Sequence, residues 1–327
     1  MAAPSAVGWA VLGTANIARA AFVPALRRAG GGSVVAIGTR DPERGRAFAH
    51  SVAPAARVGG YAEVLEDPGV RAVYVPLPNN LHRTWAVAAL DAGKAVLCEK
   101  PLGLSVAEVE AILAAARRTG GLLWEAFVFP FHPQTQRLRA LLDEGAIGEP
   151  TEIVAGFHFR VRSPENIRWS RASGGGALND VGCYPIHLAR HLFGADPVAA
   201  EAVDRRAGRE VDADTQGLLC FPGGRRLLFT CGLERAYDAE ARILGREGTI
   251  RVTNPYHPDG ADVVELHRGT TVSSERVGGD EPSFTAAIRH LHAVLSGDAA
   301  PAHLAVTDAL GTARALELVR GRTQAHE

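Results

Sequence analysis

Lysine is almost missing from this chain: of 35 basic residues among 327, only Lys94 and Lys100 are lysines. Arginine serves wherever a generic positive charge suffices, so a retained lysine points to ammonium chemistry. Long apolar runs are missing as well. No stretch approaches the roughly 20 residues that cross a bilayer, and residues 1–13 show neither a basic leader nor a separate apolar core. No membrane partner is expected, and the expected location is cytoplasmic. Basic runs able to follow a phosphate backbone are absent, and 36 acidic residues offset the 35 basic ones to a net charge of −1. Nucleic acid is therefore not an expected partner. Cysteine is sparse. Cys98, Cys183, Cys220 and Cys231 are scattered without a C-x-x-C pair, which reads as reduced, mostly buried thiols and no metal site.

What is present describes a folded globular chain, with 46% hydrophobic and 22% charged residues. At roughly 150 residues per domain the length suits two domains. The first third alternates strand-like runs (7–12, 34–37, 72–75, 95–98, 122–124) with helical patterns (16–29, 42–51, 82–92, 105–119). That alternation predicts an α/β domain whose parallel sheet is covered on both faces.

After Phe131 the pattern changes to one helix at 134–143 and a long alternating run at 151–162. There Phe157, Phe159 and Val161 point one way, and His158, Arg160 and Arg162 the other. Runs at 215–221 and 226–233 flank Pro222-Gly223-Gly224 as a hairpin, and helices are expected at 284–296 and 305–320. The expected division is 1–126 and 127–327, the second domain being built on a mainly antiparallel sheet.

Directly after the first strand, Gly13-Thr14-Ala15-Asn16-Ile17-Ala18 opens a helix as a G-x-A-x-x-A form of the dinucleotide fingerprint. Small residues there let backbone amides and the helix start approach a pyrophosphate. At the end of the second strand, where an acid would grip a ribose hydroxyl, stand Thr39 and Arg40. A hydroxyl and a guanidinium suit a 2′-phosphate, so NADP(H) is the expected cofactor.

Three further segments complete a pattern: Tyr74-Val75-Pro76-Leu77-Pro78-Asn79-Asn80-Leu81-His82, then Glu99-Lys100-Pro101, then Gly174-Gly175-Gly176 running into Asp180-Val181-Gly182-Cys183-Tyr184. With the first turn they resemble the Gfo/Idh/MocA oxidoreductases along almost the whole chain. The resemblance implies a Rossmann domain followed by an α/β domain with an open, mainly antiparallel sheet, and hydride transfer on a sugar-like alcohol or ketone. It implies a cofactor lined by Gly13, Thr14, Ala15, Asn16, Ile17, Thr39, Arg40, Pro76, Leu77, Asn79, His82, Glu99 and Lys100, with Arg168 and Trp169 reaching toward it. A homodimer or homotetramer joined through the open sheet is also implied, with the stripe His158, Arg160, Arg162 as contact or as solvated face.

Reducing a ketone needs a hydride, a proton for the developing alkoxide and a positive group beside that oxygen. Lys100 and Tyr184 supply the last two, with either as the immediate donor because coupled groups share the proton. Residues 180, 184, 187 and 191 share one helical face. On it Asp180 orients Lys100 or a substrate hydroxyl, or caps backbone amides, and His187 is a further candidate for substrate contact. His82 lines the crevice or caps its helix.

The expected substrate is a carbohydrate, such as a nucleotide-linked deoxysugar reduced by a 3-ketoreductase. The alternatives are an NADP-dependent aldose (xylose-type) or dihydrodiol dehydrogenase, and a non-catalytic NADP-sensing regulator. Retention of both Lys100 and Tyr184 favours the enzyme.

Overall fold

β1 (Val7–Leu12) is apolar on both faces and buried along its length, the signature of a central parallel strand. The computed structural model describes residues 6–258, 262–279, 281–301 and 306–326. β1 pairs in parallel with β2 (Gly32–Gly38) on one side. With β3 (Arg57–Gly59), β4 (Ala72–Val75), β5 (Ala95–Cys98) and β6 (Leu123–Glu125) it forms a parallel sheet of order β3-β2-β1-β4-β5-β6. The order reverses between β1 and β4, the switch point at which such sheets bind ligands beyond their carboxyl ends.

The crossover helices are α1 (Val23–Ala29), α2 (Pro42–Val52), α3 (Tyr61–Leu65), α4 (His82–Asp91) and α5 (Val106–Thr119). Asp41 starts α2 by accepting the Glu43 and Arg44 amides, and Ser105 starts α5 by accepting that of Glu108. The helix expected at 16–29 is interrupted. Residues Ala18–Phe22 form a wider π turn in which the Val23 amide reaches back to the Ala18 carbonyl, before α1 begins. Pro24 lacks the amide that a regular ladder needs at that place.

One element corrects the expected division. The chain up to Val128 is joined by Pro282–Leu310, so the helix Ser283–Ser296 belongs with the parallel sheet. It packs on α1, where Trp9 Nε1–H donates to His292 Nε2 at 2.9 Å. That bond leaves the proton on Nδ1, which donates to the Gly30 carbonyl at 3.0 Å.

The second unit comprises Phe129–Glu281 and Gly311–Glu327. It holds α6 (Pro133–Asp143), α7 (Cys183–Phe193) and the strands β7 (Pro150–Arg160), β8 (Ala199–Arg205), β9 (Asp214–Cys220), β10 (Arg226–Gly232), β11 (Glu234–Gly245), β12 (Thr249–Thr253), β13 (Val263–Arg268), β14 (Thr271–Arg276) and β15 (Thr323–His326). Their order is β14-β13-β12-β11-β7-β10-β9-β8-β15. Only the β7–β10 and β8–β15 pairs are parallel, and β9 with β10 forms the expected hairpin.

Ile153, Ala155 and Phe157 of β7, with Leu227, Phe229 and Cys231 of β10, are buried on the side that α7 covers. On the other face Val154 and Leu228 are 37% and 40% exposed. The stripe expected there needs correction at one position. His158 is 3% exposed and bonds to Thr230 Oγ1 at 2.9 Å, whereas Arg160 and Arg162 are exposed. Gly232, opposite His158 on β10, leaves the space for the imidazole, since a Cβ there would lie 2.8 Å from its Nδ1.

Candidate active site

In the first unit, Gly13 leaves β1 with φ +92°, and its amide donates to the Gly38 carbonyl at 2.7 Å. A Cβ there would lie 3.0 Å from Leu77 Cδ2 and would demand the left-handed region from a side chain. Thr14 and Ala15 are half-buried, and Asn16 and Ile17 open the helical segment exposed. This cradle of small side chains at a helix start fits a dinucleotide phosphate.

The two residues expected at a 2′-phosphate separate in their behaviour. The Thr39 hydroxyl is buried and occupied by its own turn, donating to the Asp41 carbonyl at 3.0 Å and accepting the Asp41 amide at 3.1 Å. Arg40 is exposed beside it. Thr39 therefore shapes the turn, and the guanidinium alone is offered outward.

The loops after β4 and β5 hold a further set of polar contacts. Pro76 and Leu77 are buried and Asn79 half-buried on the first of these loops, and Lys100 is half-buried on the second. Two peptides beside Lys100 are held by side chains. Glu99 Oε2 accepts the Lys100 amide at 3.3 Å, Glu125 Oε1 accepts the Leu102 amide at 2.8 Å, and His82 Nδ1 lies 2.8 Å from the Pro101 carbonyl. Tyr74, inside the sheet and stacked on Phe22 at 4.2 Å, donates its hydroxyl to Glu99 Oε1 at 2.6 Å. Tyr74 opens one of the motifs without a role of its own there, and a tyrosine inside the apolar run 72–75 is a signal, because a buried phenol requires an acceptor.

His82 is neither a crevice surface nor a cap. It is fully buried, its side chain caps no amide, and its other nitrogen, Nε2, meets the Leu77 carbonyl at 2.8 Å. Lys94 is likewise spoken for, donating to the Asp67 and Val70 carbonyls at 2.9 and 2.8 Å. Burial pushes the Cys98 thiol well up, so it stays neutral.

In the second unit, glycines at 174–176 lead into a π turn (Leu178–Gly182) and then α7. Gly176 has φ +107°, and a Cβ on it would collide with Asp212 Oδ1. Asp212, a residue that no motif flags, accepts the Leu178 amide at 2.6 Å and so starts the helix. Burial pushes its carboxyl pKa up.

Tyr184 follows in the first turn of α7 with its ring against Phe157 at 5.2 Å, Tyr256 at 5.3 Å and His257 at 5.3 Å. The expected polar face does not exist as such, because α7 is buried nearly all round. His187 is 2% exposed and meets Thr312 Oγ1 at 3.1 Å, and Phe129 stands edge-on to it at 5.6 Å. It is packed as a core side chain. Asp180 pairs with Arg168, Oδ2 to Nε at 2.6 Å, and the Arg168 guanidinium lies over Phe159. Trp169 is buried with Arg209 over its ring at 3.7 Å, which is the placement of a core residue. Among the described residues no group of three or more His, Cys, Asp or Glu could hold a metal ion, and no helix is long and apolar enough to cross a membrane.

Two family models match these units: an oxidoreductase family with an NAD-binding Rossmann fold over residues 7–127, and the GFO/IDH/MocA C-terminal domain over 135–251. The chain belongs to the GFO/IDH/MocA oxidoreductases. Within that family it is 39% identical over 250 residues to a dTDP-3,4-didehydro-2,6-dideoxy-α-D-glucose 3-reductase of Streptomyces violaceoruber, covering 76% of this chain and 73% of that one. To an NADP(+) D-xylose 1-dehydrogenase of Haloferax volcanii it is 34% identical over 266 residues, 80% of each chain. The crystal structure of a 3-ketoreductase from Actinomadura kijaniata with NADP and TDP-benzene superposes with a TM-score of 0.89 at 33% identity, covering 98% of both chains.

Proposed function

We propose that this oxidoreductase uses NADP(H) to interconvert a ketone and a secondary alcohol on a carbohydrate, with a nucleotide-linked deoxysugar as substrate. The observation that carries the reading is the Lys100 loop at the carboxyl edge of the sheet, where side chains contact the Lys100 amide and both ends of the Pro101–Leu102 peptide. The likeness to a 3-reductase of dTDP-linked sugars, and to a ketoreductase crystallised with NADP and a TDP compound, supports the substrate class. Likeness to a D-xylose 1-dehydrogenase supports a free aldose as the second reading.

The Gly13 turn would hold the pyrophosphate, and Arg40 the 2′-phosphate, of NADP(H). When bound, the cofactor supplies or accepts the hydride. Lys100 places its ammonium against the substrate oxygen as negative charge develops there. Tyr184 is the proton donor, so that ketone, hydride and proton balance as alcohol, and the phenolate recovers a proton from solvent.

The test is NADPH consumption with a dTDP-linked 3-keto deoxysugar and NADPH formation from NADP+ with free aldoses. Lys100→Ala and Tyr184→Phe are each expected to slow turnover by about 100-fold or more. Undiminished turnover in both variants overturns the assignment. Faster turnover of a free aldose than of the nucleotide sugar selects the second reading.

We also propose a homodimer or homotetramer joined through the open sheet face. Exposed Val154 and Leu228 there lie among the charged Glu240 and Arg242, an interface-like mixture.

A further inference from the structure

His82 contacts two carbonyls at once, and the two belong to loops that follow neighbouring strands. Its Nε2 lies 2.8 Å from the Leu77 oxygen, after β4, and its Nδ1 lies 2.8 Å from the Pro101 oxygen, after β5 and one residue beyond Lys100. The ring is fully buried, so no water competes for either contact. A neutral imidazole carries one N–H, so it donates to one carbonyl and sets a lone pair toward the other. Donation to both requires the imidazolium. Burial is the largest influence and lowers the pKa of His82. The nearby Lys100 charge acts in the same direction, while the two carbonyls and Glu108 oppose them. A buried ring in such a slot is costly to keep unless the fold needs the two loops joined.

We propose that His82 is a positioning residue for Lys100. Wedged between the Leu77 and Pro101 carbonyls, donating to one as the neutral ring and to both only as the imidazolium, it sets the spacing of the peptide beyond Lys100 from the loop after β4, while Glu99 and Glu125 accept the amides of Lys100 and Leu102. The ammonium then projects from a backbone whose turn is determined from three sides. The proposal rests on Lys100 being the group that faces the substrate oxygen. It adds that the imidazole acts through Lys100 and touches neither cofactor nor substrate.

A double-mutant cycle separates the two claims. His82→Asn keeps a buried donor and acceptor but shortens the reach, and is expected to lower kcat about 10- to 100-fold with little change in KM. His82→Gln, longer, is expected to restore part of the loss. In a Lys100→Ala background His82→Asn is expected to cost no more than about 2-fold, because the group it positions is gone. If Lys100→Ala alone leaves turnover intact, the functional reading fails. If Lys100→Ala slows turnover but His82→Asn multiplies the loss in full, the positioning role fails.

A second readout needs no turnover. Reductive methylation with a carbon-13 label marks just two lysine side chains, Lys94 and Lys100. In the cofactor-free protein, His82→Asn is expected to shift the NMR titration of the Lys100 signal and leave that of Lys94 in place. Unmoved signals overturn the proposal, as does a protein that fails to fold with both Asn and Gln, since His82 would then be a structural residue only.

Discussion

Arg40 shows how far a single residue carries information. Its neighbour Thr39 spends its hydroxyl on the turn, and Asp41 spends its carboxylate on the α2 amides, which leaves the guanidinium as the outward group of that corner. Arg40→Ala is therefore expected to weaken NADPH binding about 10- to 100-fold, the worth of one charge-assisted hydrogen bond, and to leave NADH binding almost unchanged. Fluorescence titration of both nucleotides checks this, and equal losses would remove Arg40 from the phosphate. Residue type and neighbours make Lys100 and Tyr184 candidates in the sequence. They do not assign His82, because the same histidine at the same helix start would serve equally as a cap. Only the two carbonyls on separate loops assign its role. His187 misled for the opposite reason. A polar residue at helical spacing from Tyr184 reads as a surface face, but Thr312, distant in sequence, supplies its partner inside the core.

At the scale of elements, the parallel strands were legible because a sheet covered on both faces must be apolar throughout, as β1, β4 and β5 are. β3 and α3 were not, being three and five residues long with little periodicity to read. The link between β1 and the helix Ser283–Ser296 depends on one titratable ring. Burial lowers the His292 pKa below its ordinary 6.5, so the folded state keeps the ring neutral while the unfolded chain binds a proton on acidification. Stability from this link is thus complete above about pH 6.5 and declines as the pH falls below it. His292→Gln keeps a donor and an acceptor without titrating, and is expected to flatten the fall of Tm between about pH 7 and about pH 5. An unchanged slope would show that His292 carries none of it, leaving the acid sensitivity to other buried histidines such as His82.

For the whole molecule, the change from alternating strands and helices to an antiparallel region was visible in the sequence, and so was its place near residue 130. The return of the helix Ser283–Ser296 to the first unit was not, because an amphipathic helix does not record which sheet it covers. The open face carries a prediction at this scale. Leu228→Glu places a charge where Leu228 is 40% exposed, beside Val154. It is expected to shift the mass measured by light scattering toward the monomer while leaving NADPH binding intact. An unchanged mass would move the interface elsewhere.

The discontinuous first unit also bears on biosynthesis. Trp9 and Phe22 leave the ribosome well ahead of His292 and Phe284, which close over them and follow more than two hundred and fifty residues later. The nascent nucleotide-binding module therefore waits, with part of its aromatic surface uncovered, until the entire intervening sheet has been translated.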